Sequence, residues 1–465
     1  MKTFVDAVVV GGGVSGLIAA RELASAGLSV ELIEASDKCG GSIQGHTLGG
    51  IRIDIGAEAY SILRPEVTQL VTELGLSDYV VTPFTQGAHL ILGEHGEQTL
   101  PIPKNSLLGI PSDLMAPDVL RIIGLEVAMQ AQARDALPVV DLPATLGELV
   151  EQRMGTDLLE RLVDPIVAGV HAISAIRVEV DAVAPRLREL TAKLGSLSAA
   201  VGTISGNRGP SGNAIQGLRG GMGMLIEALV SDLRTKGVSI TLSTIVDRVL
   251  ATPSGWTVST KEFELPTRNV VLAIPTLHSA RALNGDLAIS NALSMLQSSA
   301  VRVTALMVDD ERFNSAPLGS GALVGSHVSG IKAKALTHAN AKWEWLSQLL
   351  PPNRHIFRLS YGRNGLLTRD QDEQTIIDDA LHDLAAIYHL PVANIKLVDS
   401  ATCYWENSMT QALVGSRDLL DQLGKLLQTR RGLGLLGPGI SGNGLAGVIF
   451  NAKVCAKSLV ESGNA

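Results

Sequence analysis

Three glycines and one acid near the amino terminus have the types and the spacing that hold a dinucleotide. Gly11, Gly13 and Gly16 follow the apolar run FVDAVVV, and Glu34 closes a second apolar run, LSVELIE. Glycines let the backbone turn tightly and approach a pyrophosphate, which binds at the N-terminus of the next helix. A carboxylate at the end of the second strand accepts a hydrogen bond from a ribose 2′-hydroxyl. The pattern predicts a site for FAD or NAD rather than NADP, and its alternative is a glycine turn beside a surface acid.

The elements that must position these residues form a strand–helix–strand unit. FVDAVVV and LSVELIE are strand-type runs, GGGVSG is a turn, and LIAARELASAG has helical spacing that stops at Gly27. Residues from Pro111 to about 207 are predicted to be mostly helical, and GTISGNRGPSGNA follows as a loop. Beyond it we expect a helix in GGMGMLIEALVSDLRTKG, a hairpin in VSITLSTIVDRVLATPSGWTVST, a buried strand in RNVVLAIP and an antiparallel sheet over about 296–364.

Composition narrows the class of protein. At 465 residues, with 46% hydrophobic and 18% charged residues, the chain is expected to fold into two or three domains, and disorder is excluded. The net charge of −8 argues against nucleic acid as a partner, because phosphate contacts need clustered Lys and Arg. Cys39, Cys403 and Cys455 show no disulfide or metal spacing, so free thiols, a reducing cytoplasm and no metal are expected. No apolar run approaches the ~18 residues of a membrane span, and Asp6 argues against a signal peptide.

A second glycine-rich element follows Glu34, in EASDKCGGSIQGHTLGGIRIDIGAEAY. It contains the pair Gly40 and Gly41 and ends in Asp54-x-Gly56-Ala57, neither of which a nicotinamide site needs. Here the sequence resembles the superfamily of flavin-dependent monoamine oxidases, phytoene desaturases and protoporphyrinogen oxidases. The resemblance implies FAD as the cofactor, with contacts from Gly11, Gly12, Gly13, Val14, Ser15, Gly16, Glu34, Ala35, Gly41, Ser42, Gly56, Ala57, Glu58 and Ala59. Ser42 stands where the superfamily usually has Arg or Lys.

Further segments narrow the resemblance. LPIPKNSLLGIPSDL, GELVEQRMGTDLLERLVDPIVAGVHA, GLRGGMGMLIEAL and IKAKALTHANAKWEW resemble, in the right order, the protoporphyrinogen/coproporphyrinogen oxidase family in its Gram-positive form. The resemblance implies an α/β fold (α+β overall) with a Rossmann-like FAD-binding domain of the amine oxidase type, a substrate domain with a mixed or antiparallel sheet, and a helical lobe. We expect the FAD-binding domain at 1–80, 212–290 and 415–465, the substrate-binding domain at 81–110 and 291–414, and the helical lobe at 111–211.

The same resemblance implies roles for single residues later in the chain. Val246 matches a valine whose backbone meets the adenine, and Trp405 matches a tryptophan near the flavin. In GPGISGNGLAGVIF, the segment that closes over the isoalloxazine ring is Gly442, Asn443, Gly444 and Leu445, and the following helix points its N-terminus at the ring. The chain departs from the family at His171, usually tyrosine, and in SMTQALVGS, which contains Thr410, Ala412 and Ser416. These departures lie where the active site is expected.

A basic stretch, Ile331 to Arg363, stands out in this acidic chain. It contains one acid, Glu344, against Lys332, Lys334, Lys342, Arg354, Arg358 and Arg363. Lys332 and Lys334 are two residues apart and are expected to share a strand face. Basic side chains at a pocket mouth would bind the propionates of a porphyrinogen, so the candidate substrate-binding residues are His171, Lys332, Lys334, Lys342 and Arg363. The alternative is a solvated basic face.

The resemblance implies an FAD-dependent oxidase of haem biosynthesis. It would convert coproporphyrinogen III to coproporphyrin III in three two-electron rounds, with O2 as acceptor and H2O2 as product, and no catalytic side chain is assigned. The alternatives are a protoporphyrinogen IX oxidase, a flavin amine oxidase or carotenoid desaturase, and a degenerate scaffold without activity. The expected partners are a tetrapyrrole and O2 in the cytoplasm. Peripheral contact with a membrane and transient contact with other haem-pathway enzymes stay open.

Overall fold

The computed structural model describes residues 4–84, 87–206, 214–363, 367, 369–442 and 444–463. Its strands, in chain order, are β1 Val5–Val10, β2 Val30–Ile33, β3 Gly45–Leu48, β4 Ile51–Asp54, β5 Tyr60–Ser61, β6 Val80–Val81, β7 His89–Leu92, β8 Gln98–Pro101, β9 Ser106–Leu107, β10 Ile110–Pro111, β11 Ile215–Leu218, β12 Ser239–Thr241, β13 Val246–Thr252, β14 Gly255–Thr260, β15 Glu264–Leu272, β16 Ser298–Asp309, β17 Gly321–Val324, β18 Ala335–His338, β19 Arg354–Tyr361, β20 Leu397–Thr410 and β21 Leu433–Leu435.

The α-helices are numbered in the same way. They are α1 Val14–Ser25, α2 Glu66–Glu73, α3 Pro117–Ile123, α4 Leu125–Asp135, α5 Leu146–Met154, α6 Thr156–Leu158, α7 Asp164–His171, α8 Val180–Val183, α9 Leu187–Leu194, α10 Leu197–Ser205, α11 Gly223–Thr235, α12 Thr276–Ala282, α13 Leu287–Met295, α14 Ala339–Lys342, α15 Glu344–Ser347, α16 Glu373–Ile387, α17 Ser416–Gln428, α18 Pro438–Ser441 and α19 Leu445–Gly463. Within the described ranges, none of these helices is long and apolar enough to cross a membrane.

The first sheet is buried on both faces, which explains the unbroken apolar runs of its central strands. Its order is β12-β2-β1-β15-β14-β13, with β21 beside β15. The strands β12, β2, β1, β15 and β21 run parallel, and β13 and β14 form the predicted antiparallel hairpin. Along β1, Ala7 and Val9 pack toward α1, α11 and α19, while Val8 and Val10 pack toward α12, α13 and α17. The alternation follows from the two-residue period of a strand.

The second sheet has the order β20-β16-β19-β18-β17-β7-β8. All neighbours are antiparallel except β17 and β7, which run parallel, so the expected antiparallel sheet is present with one parallel pair. One face of this sheet packs on α16 through Phe357, Leu359 and Leu384. The other face turns Val301 and Val303 toward the first sheet's loops, where the candidate site lies.

A third group of elements is helical, as predicted between Pro111 and about 207. Helices α3 to α10 bury a separate apolar core that includes Leu149, Leu162 and Leu197. The three-domain division itself stays a proposal. It assigns the first sheet and its helices to the cofactor, the second sheet to the substrate, and the helical group to a lobe.

Candidate active site

A cavity of about 760 Å³ opens where β1 and β2 end. Open α/β sheets bind ligands at the carboxyl ends of their strands, so the position is suited to a cofactor. The structure brings most of the predicted cofactor-binding residues together here, from both ends of the chain. Those that line the cavity are Gly11, Gly13, Val14, Ser15, Glu34, Ala35, Gly41, Ser42, Ala57, Ala59, Val246, Trp405 and Leu445.

Two glycines bring helix α1 close to the turn that follows β1. Gly11 has a φ of 104°, and a Cβ there would lie 2.5 Å from the carbonyl oxygen of Ala273. A Cβ on Gly16 would lie 1.9 Å from the carbonyl oxygen of Gly11. No side chain caps the N-terminus of α1, which begins after Gly13. Its first amide groups are therefore directed to the cavity and can bind an anion.

The carboxylate of Glu34 is held in place by two backbone amides. The amide of Gly12 donates to Oε2 at 2.5 Å, and the amide of Ser36 donates to Oε1 at 2.8 Å. A carboxylate has about four acceptor positions, so both oxygens can still accept a hydrogen bond from a ribose hydroxyl. Glu34 is half-buried at the cavity wall.

The second glycine pair folds back onto the first loop. The amide of Gly40 donates to the carbonyl of Gly12 at 2.9 Å, and a Cβ on Gly41 would lie 3.3 Å from the Cα of Gly13. Trp405, on β20 of the second sheet, donates its indole N–H to the carbonyl of Gly41 at 3.1 Å. The two sheets therefore meet at this loop.

Several predicted cofactor-binding residues lie next to the cavity without lining it: Gly12, Gly16, Gly56, Glu58, Gly442 and Gly444. Asn443 lies outside the described residues. Gly442 has a φ of 78°, and a Cβ on Gly442 or Gly444 would meet no other atom within 4 Å. Their neighbour Leu445 lines the cavity at the start of α19.

Sequence reasoning missed two further groups of residues that line the cavity. A first group comes from the segments around Val246 and after β15, and a second from the segments around Trp405 and Leu445: Thr244, Ile245, Asp247, Pro275, His278 and Arg281 in the first, and Tyr404, Glu406, Asn407, Ser408, Pro438 and Val448 in the second. The Ala-Ile-Pro that ends RNVVLAIP could have indicated the first group, because a strand end in this sheet must reach the cavity edge. In the second group, Pro438 and Val448 lie in the glycine-rich stretch GPGISGNGLAGVIF, whereas Tyr404, Glu406, Asn407 and Ser408 carry no local signal.

A smaller cavity of about 260 Å³ adjoins the first and lies on the second sheet. Four residues line both cavities, from segments far apart in the chain: Ser42, Ala57, Trp405 and Ser408. The sheet adds a mixed polar and apolar wall made of Val301, Val303, Ala335, Thr337, Arg358 and Ser360. Among the described residues that line the smaller cavity, Trp405 is the only aromatic one.

Glu58 lies beside the smaller cavity in a buried ion-pair group. Its carboxylate is 2.6 Å from Nζ of Lys342 and 2.6 Å from Nη1 of Arg358, and it accepts the indole N–H of Trp343 at 3.4 Å. Burial alone would raise the pKa of Glu58, but Lys342 and Arg358 lower it to about 2. Glu58 is therefore charged at any working pH, and Lys342 is occupied by an acid.

Asp54 of the Asp-x-Gly-Ala element lies at the N-terminus of α11 rather than in the cavity. It accepts the amides of Met222 at 2.8 Å and Gly223 at 3.3 Å. Burial raises the pKa of Asp54 to about 6, against the lowering effect of these amides and of the charge of Arg358.

The basic residues of the stretch from Ile331 to Arg363 do not form one exposed face. Because β18 begins at Ala335, Lys332 and Lys334 precede the strand, and the expectation that they share a strand face is wrong. Lys332 is exposed and pairs with Asp379 at 2.6 Å, whereas Lys334 is 3% exposed and donates to the carbonyl of Gly169 at 3.2 Å. The acids that pair with these basic residues lie in other parts of the chain; Asp379, for example, is in α16.

Lys334, Arg363 and His171 nevertheless lie together, between α7 and the second sheet. Arg363 donates to the carbonyls of Val324 and Gly325. Burial, and then the charge of Arg363, lowers the pKa of Lys334 to about 8, and burial and Lys334 lower the pKa of His171. Within the part of the chain that the structure describes, no carboxylate forms an ion pair with Lys334.

The three cysteines are free thiols. Burial raises the pKa of Cys39 to about 11 and that of Cys455 to about 12, and it also raises the pKa of Cys403. No group of three or more His, Cys, Asp or Glu side chains suited to a metal occurs in the described ranges. The thiols are therefore protonated and poorly reactive.

Comparison with known proteins defines the class. The family described as flavin containing amine oxidoreductase matches residues 14–420, and the chain belongs to this family. A coproporphyrinogen III oxidase of Mycobacterium leprae (strain TN) is 33% identical over 89% of this chain and 90% of that protein. One from Bacillus subtilis (strain 168) is 27% identical over 96% of both. A protein of Exiguobacterium sp. 255-15, provisionally named a protoporphyrinogen oxidase, has a crystal structure with a TM-score of 0.85 and 23% identity over 99% of both chains.

The comparisons confirm the predicted amine-oxidase-type fold, the FAD cofactor and the family resemblance. The site also fits the cofactor on its own geometry. A turn of glycines meets an uncapped helix N-terminus, where the diphosphate would bind, and Glu34 is held where the adenosine ribose would lie. The assignment of single residues to FAD stays a prediction.

We expect one cation in the lining of the large cavity to offset part of the charge of the diphosphate. The described lining of the large cavity contains the acids Glu34, Asp247 and Glu406, and Arg281 is its only lysine or arginine. We expect Arg281→Ala to raise the Kd for FAD about threefold at low salt and less at high salt, because the contact is exposed. The measurement is flavin fluorescence on titration of the apoprotein. Arg248→Ala, an exposed arginine on the adjacent β13, is the matched control, and equal effects of both changes would refute the assignment.

Proposed function

We propose that the chain is an FAD-dependent coproporphyrinogen III oxidase of haem biosynthesis. The observation that supports it best is the pair of adjoining cavities, which share the lining residues Ser42, Ala57, Trp405 and Ser408. A substrate that enters the smaller cavity would lie next to these shared residues, and so beside the ring of a cofactor bound in the larger cavity. The names of the relatives from Mycobacterium leprae and Bacillus subtilis support the choice of substrate.

Different residues of the chain would hold different parts of the cofactor. The amides at the start of α1 and the loop of Gly41 would hold the diphosphate, Glu34 the ribose, and the backbone near Val246 the adenine. Leu445 and Val448, at the N-terminal end of α19, would face the isoalloxazine ring. When bound, FAD accepts a hydride from a carbon–hydrogen bond and passes the electrons to O2, which leaves as H2O2. Three such rounds remove six hydrogen atoms from coproporphyrinogen III and yield coproporphyrin III and three molecules of H2O2.

The decisive test is turnover by the purified holoprotein. It is incubated aerobically with coproporphyrinogen III, protoporphyrinogen IX and a panel of amines, and porphyrin fluorescence and H2O2 are followed. We expect coproporphyrinogen III to react fastest. Faster oxidation of protoporphyrinogen IX would support the second candidate function, a protoporphyrinogen IX oxidase. The provisional name of the Exiguobacterium protein favours this candidate. Absence of a bound flavin spectrum would support the scaffold instead.

The substrate's carboxylates suggest a role for the group formed by Lys334, Arg363 and His171. A buried ammonium with one hydrogen bond to a carbonyl keeps two donors for an anion. We expect Lys334→Met to raise KM about tenfold for the tetracarboxylate coproporphyrinogen III and less for the dicarboxylate protoporphyrinogen IX. Since the pKa of Lys334 is lowered to about 8, KM of the parent protein should also rise above that pH.

The control for this prediction is Lys332→Met, two residues away. Lys332 is exposed and paired with Asp379, so its removal should leave both KM values unchanged. If Lys334→Met affects the two substrates equally, Lys334 has a structural role only. The same assays cover the remaining predicted substrate contacts, His171, Lys342 and Arg363.

The proposal includes a cytoplasmic location and O2 as the acceptor. Fractionation of cells that express the tagged chain, followed by a high-salt wash, would distinguish a cytoplasmic protein from one bound peripherally to a membrane. A salt-labile membrane fraction would support peripheral contact.

A further inference from the structure

One carboxylate and two cations lie together beside the smaller cavity. Glu58 lies between Lys342 and Arg358, with both contacts at 2.6 Å. The three side chains are at most 17% exposed. One carboxylate offsets only one of the two cations. This group of three, called the Glu58 cluster below, therefore keeps one positive charge in a site with little water.

The Glu58 cluster reaches the smaller cavity through Arg358 and contacts the loop that lines both cavities. Nη2 of Arg358 donates to the carbonyl of Ile55 at 3.3 Å and also to the carbonyl of Gly56. Gly56 and Arg358 line the smaller cavity, and Ala57 lines both. The guanidinium is thus held against the loop on whose other side the ring of the cofactor would lie.

Two further side chains next to the Glu58 cluster affect this charge. Trp343, which donates to Glu58, is neutral. Asp54 is a further carboxylate nearby. Burial raises its pKa, the charge of Arg358 lowers it, and that of Glu58 raises it. Its oxygens accept the amides of Met222 and Gly223. The partial positive charge at the N-terminus of α11 offsets part of the charge of Asp54, so that Asp54 weakens the positive charge of the Glu58 cluster only in part.

We propose that the Glu58 cluster raises the reduction potential of bound FAD, with Lys342 and Arg358 as positioning residues for charge rather than catalytic residues. The inference rests on the placement of FAD proposed above. Near neutral pH, reduction of a flavin takes up two electrons from the substrate and one proton, so the cofactor gains one negative charge. Positive charge beside a site of low dielectric constant stabilises that state.

The test compares variants that change the net charge of the Glu58 cluster in opposite directions. Glu58→Gln removes the negative charge with little change of shape and should shift the reduction potential to a more positive value. Lys342→Met removes a positive charge and should shift it to a more negative value. Lys396→Met makes the same chemical change at an exposed site, where the lysine pairs with Asp309 at 3.7 Å, and should leave the potential unchanged. The measurement is an anaerobic, dye-coupled reductive titration of each holoprotein, well above the pKa of Asp54.

A double variant separates charge from packing. Removal of one partner of a buried ion pair is costly, so Lys342→Met could lose FAD or fold poorly. Glu58→Gln combined with Lys342→Met restores the original net charge and should return the potential to that of the parent. The proposal is wrong if Glu58→Gln leaves the potential unchanged or makes it more negative. A chain that binds no flavin would instead overturn the proposed function, while a flavin-loaded set of variants with equal potentials would overturn only this inference.

Discussion

Gly16→Ala should yield a protein that no longer retains FAD on purification. The added Cβ would lie 1.9 Å from the carbonyl oxygen of Gly11 and 3.3 Å from the Cβ of Ala273. The first of these atoms belongs to the backbone of a tight turn, so α1 must move away from the loop that would hold the diphosphate. Overpacking of this kind also costs about 1–3 kcal/mol of stability. The measurement is the ratio of flavin to protein absorbance, together with thermal unfolding.

Gly424→Ala is the matched control for this change. Gly424 lies in the exposed part of α17, and a Cβ there would meet no other atom within 4 Å. Alanine in a helix is about 0.5–1 kcal/mol more favourable than glycine, so this variant should keep FAD and gain slightly in stability. Full retention of FAD by Gly16→Ala would show that the α1 turn is not the diphosphate site.

Thr337→Trp should abolish turnover while FAD stays bound. Thr337 lies on β18 and turns its side chain into the cavity of about 260 Å³, which an indole would largely fill. The residues proposed to hold the diphosphate and the ribose belong to the other cavity and are not touched by this change. We expect kcat/KM for coproporphyrinogen III to fall by roughly 100-fold or more, because a displaced substrate cannot reach the ring. Flavin absorbance and porphyrin fluorescence are measured on the same sample.

Thr257→Trp provides the comparison for that experiment. Thr257 lies on β14 in the edge hairpin of the first sheet, away from both cavities described here. This variant should turn over coproporphyrinogen III at the parent rate. Normal turnover by Thr337→Trp would place the substrate elsewhere, whereas loss of FAD from it would mean that the two cavities are not independent.

The parts of the site that could be predicted from sequence are those built within short stretches of chain. Gly11, Gly13, Gly16 and Glu34 lie on one strand–helix–strand unit, so their spacing fixes their relative positions. The resemblance to a family placed Trp405, which has no local signal, at the same cavity. Apolar runs and glycine turns likewise predicted the parallel strands, the edge hairpin and the helical group.

The parts that could not be predicted depend on packing between distant segments. Lys342 and Glu58 are separated by 284 positions, so nothing local shows that they form an ion pair. The different environments of Lys332 and Lys334 arise because α7, from the helical group, covers only the second. Arg281 reaches the cofactor cavity because α12 packs beside β13. Tertiary contacts of this kind set the charge and exposure of a side chain, and composition does not.

The pairing of β21 with β15 and the packing of α19 on α1 have a consequence for synthesis of the chain. The strand–helix–strand unit is made before β21 and α19. Its sheet therefore lacks β21, and α1 lacks the packing of α19, until residues beyond 433 have been made. Contacts so far apart in sequence form slowly, and the apolar surface of α1 stays exposed in the meantime. We therefore expect cofactor capture to follow translation of nearly the whole described chain, with a nascent form that depends on chaperones until then.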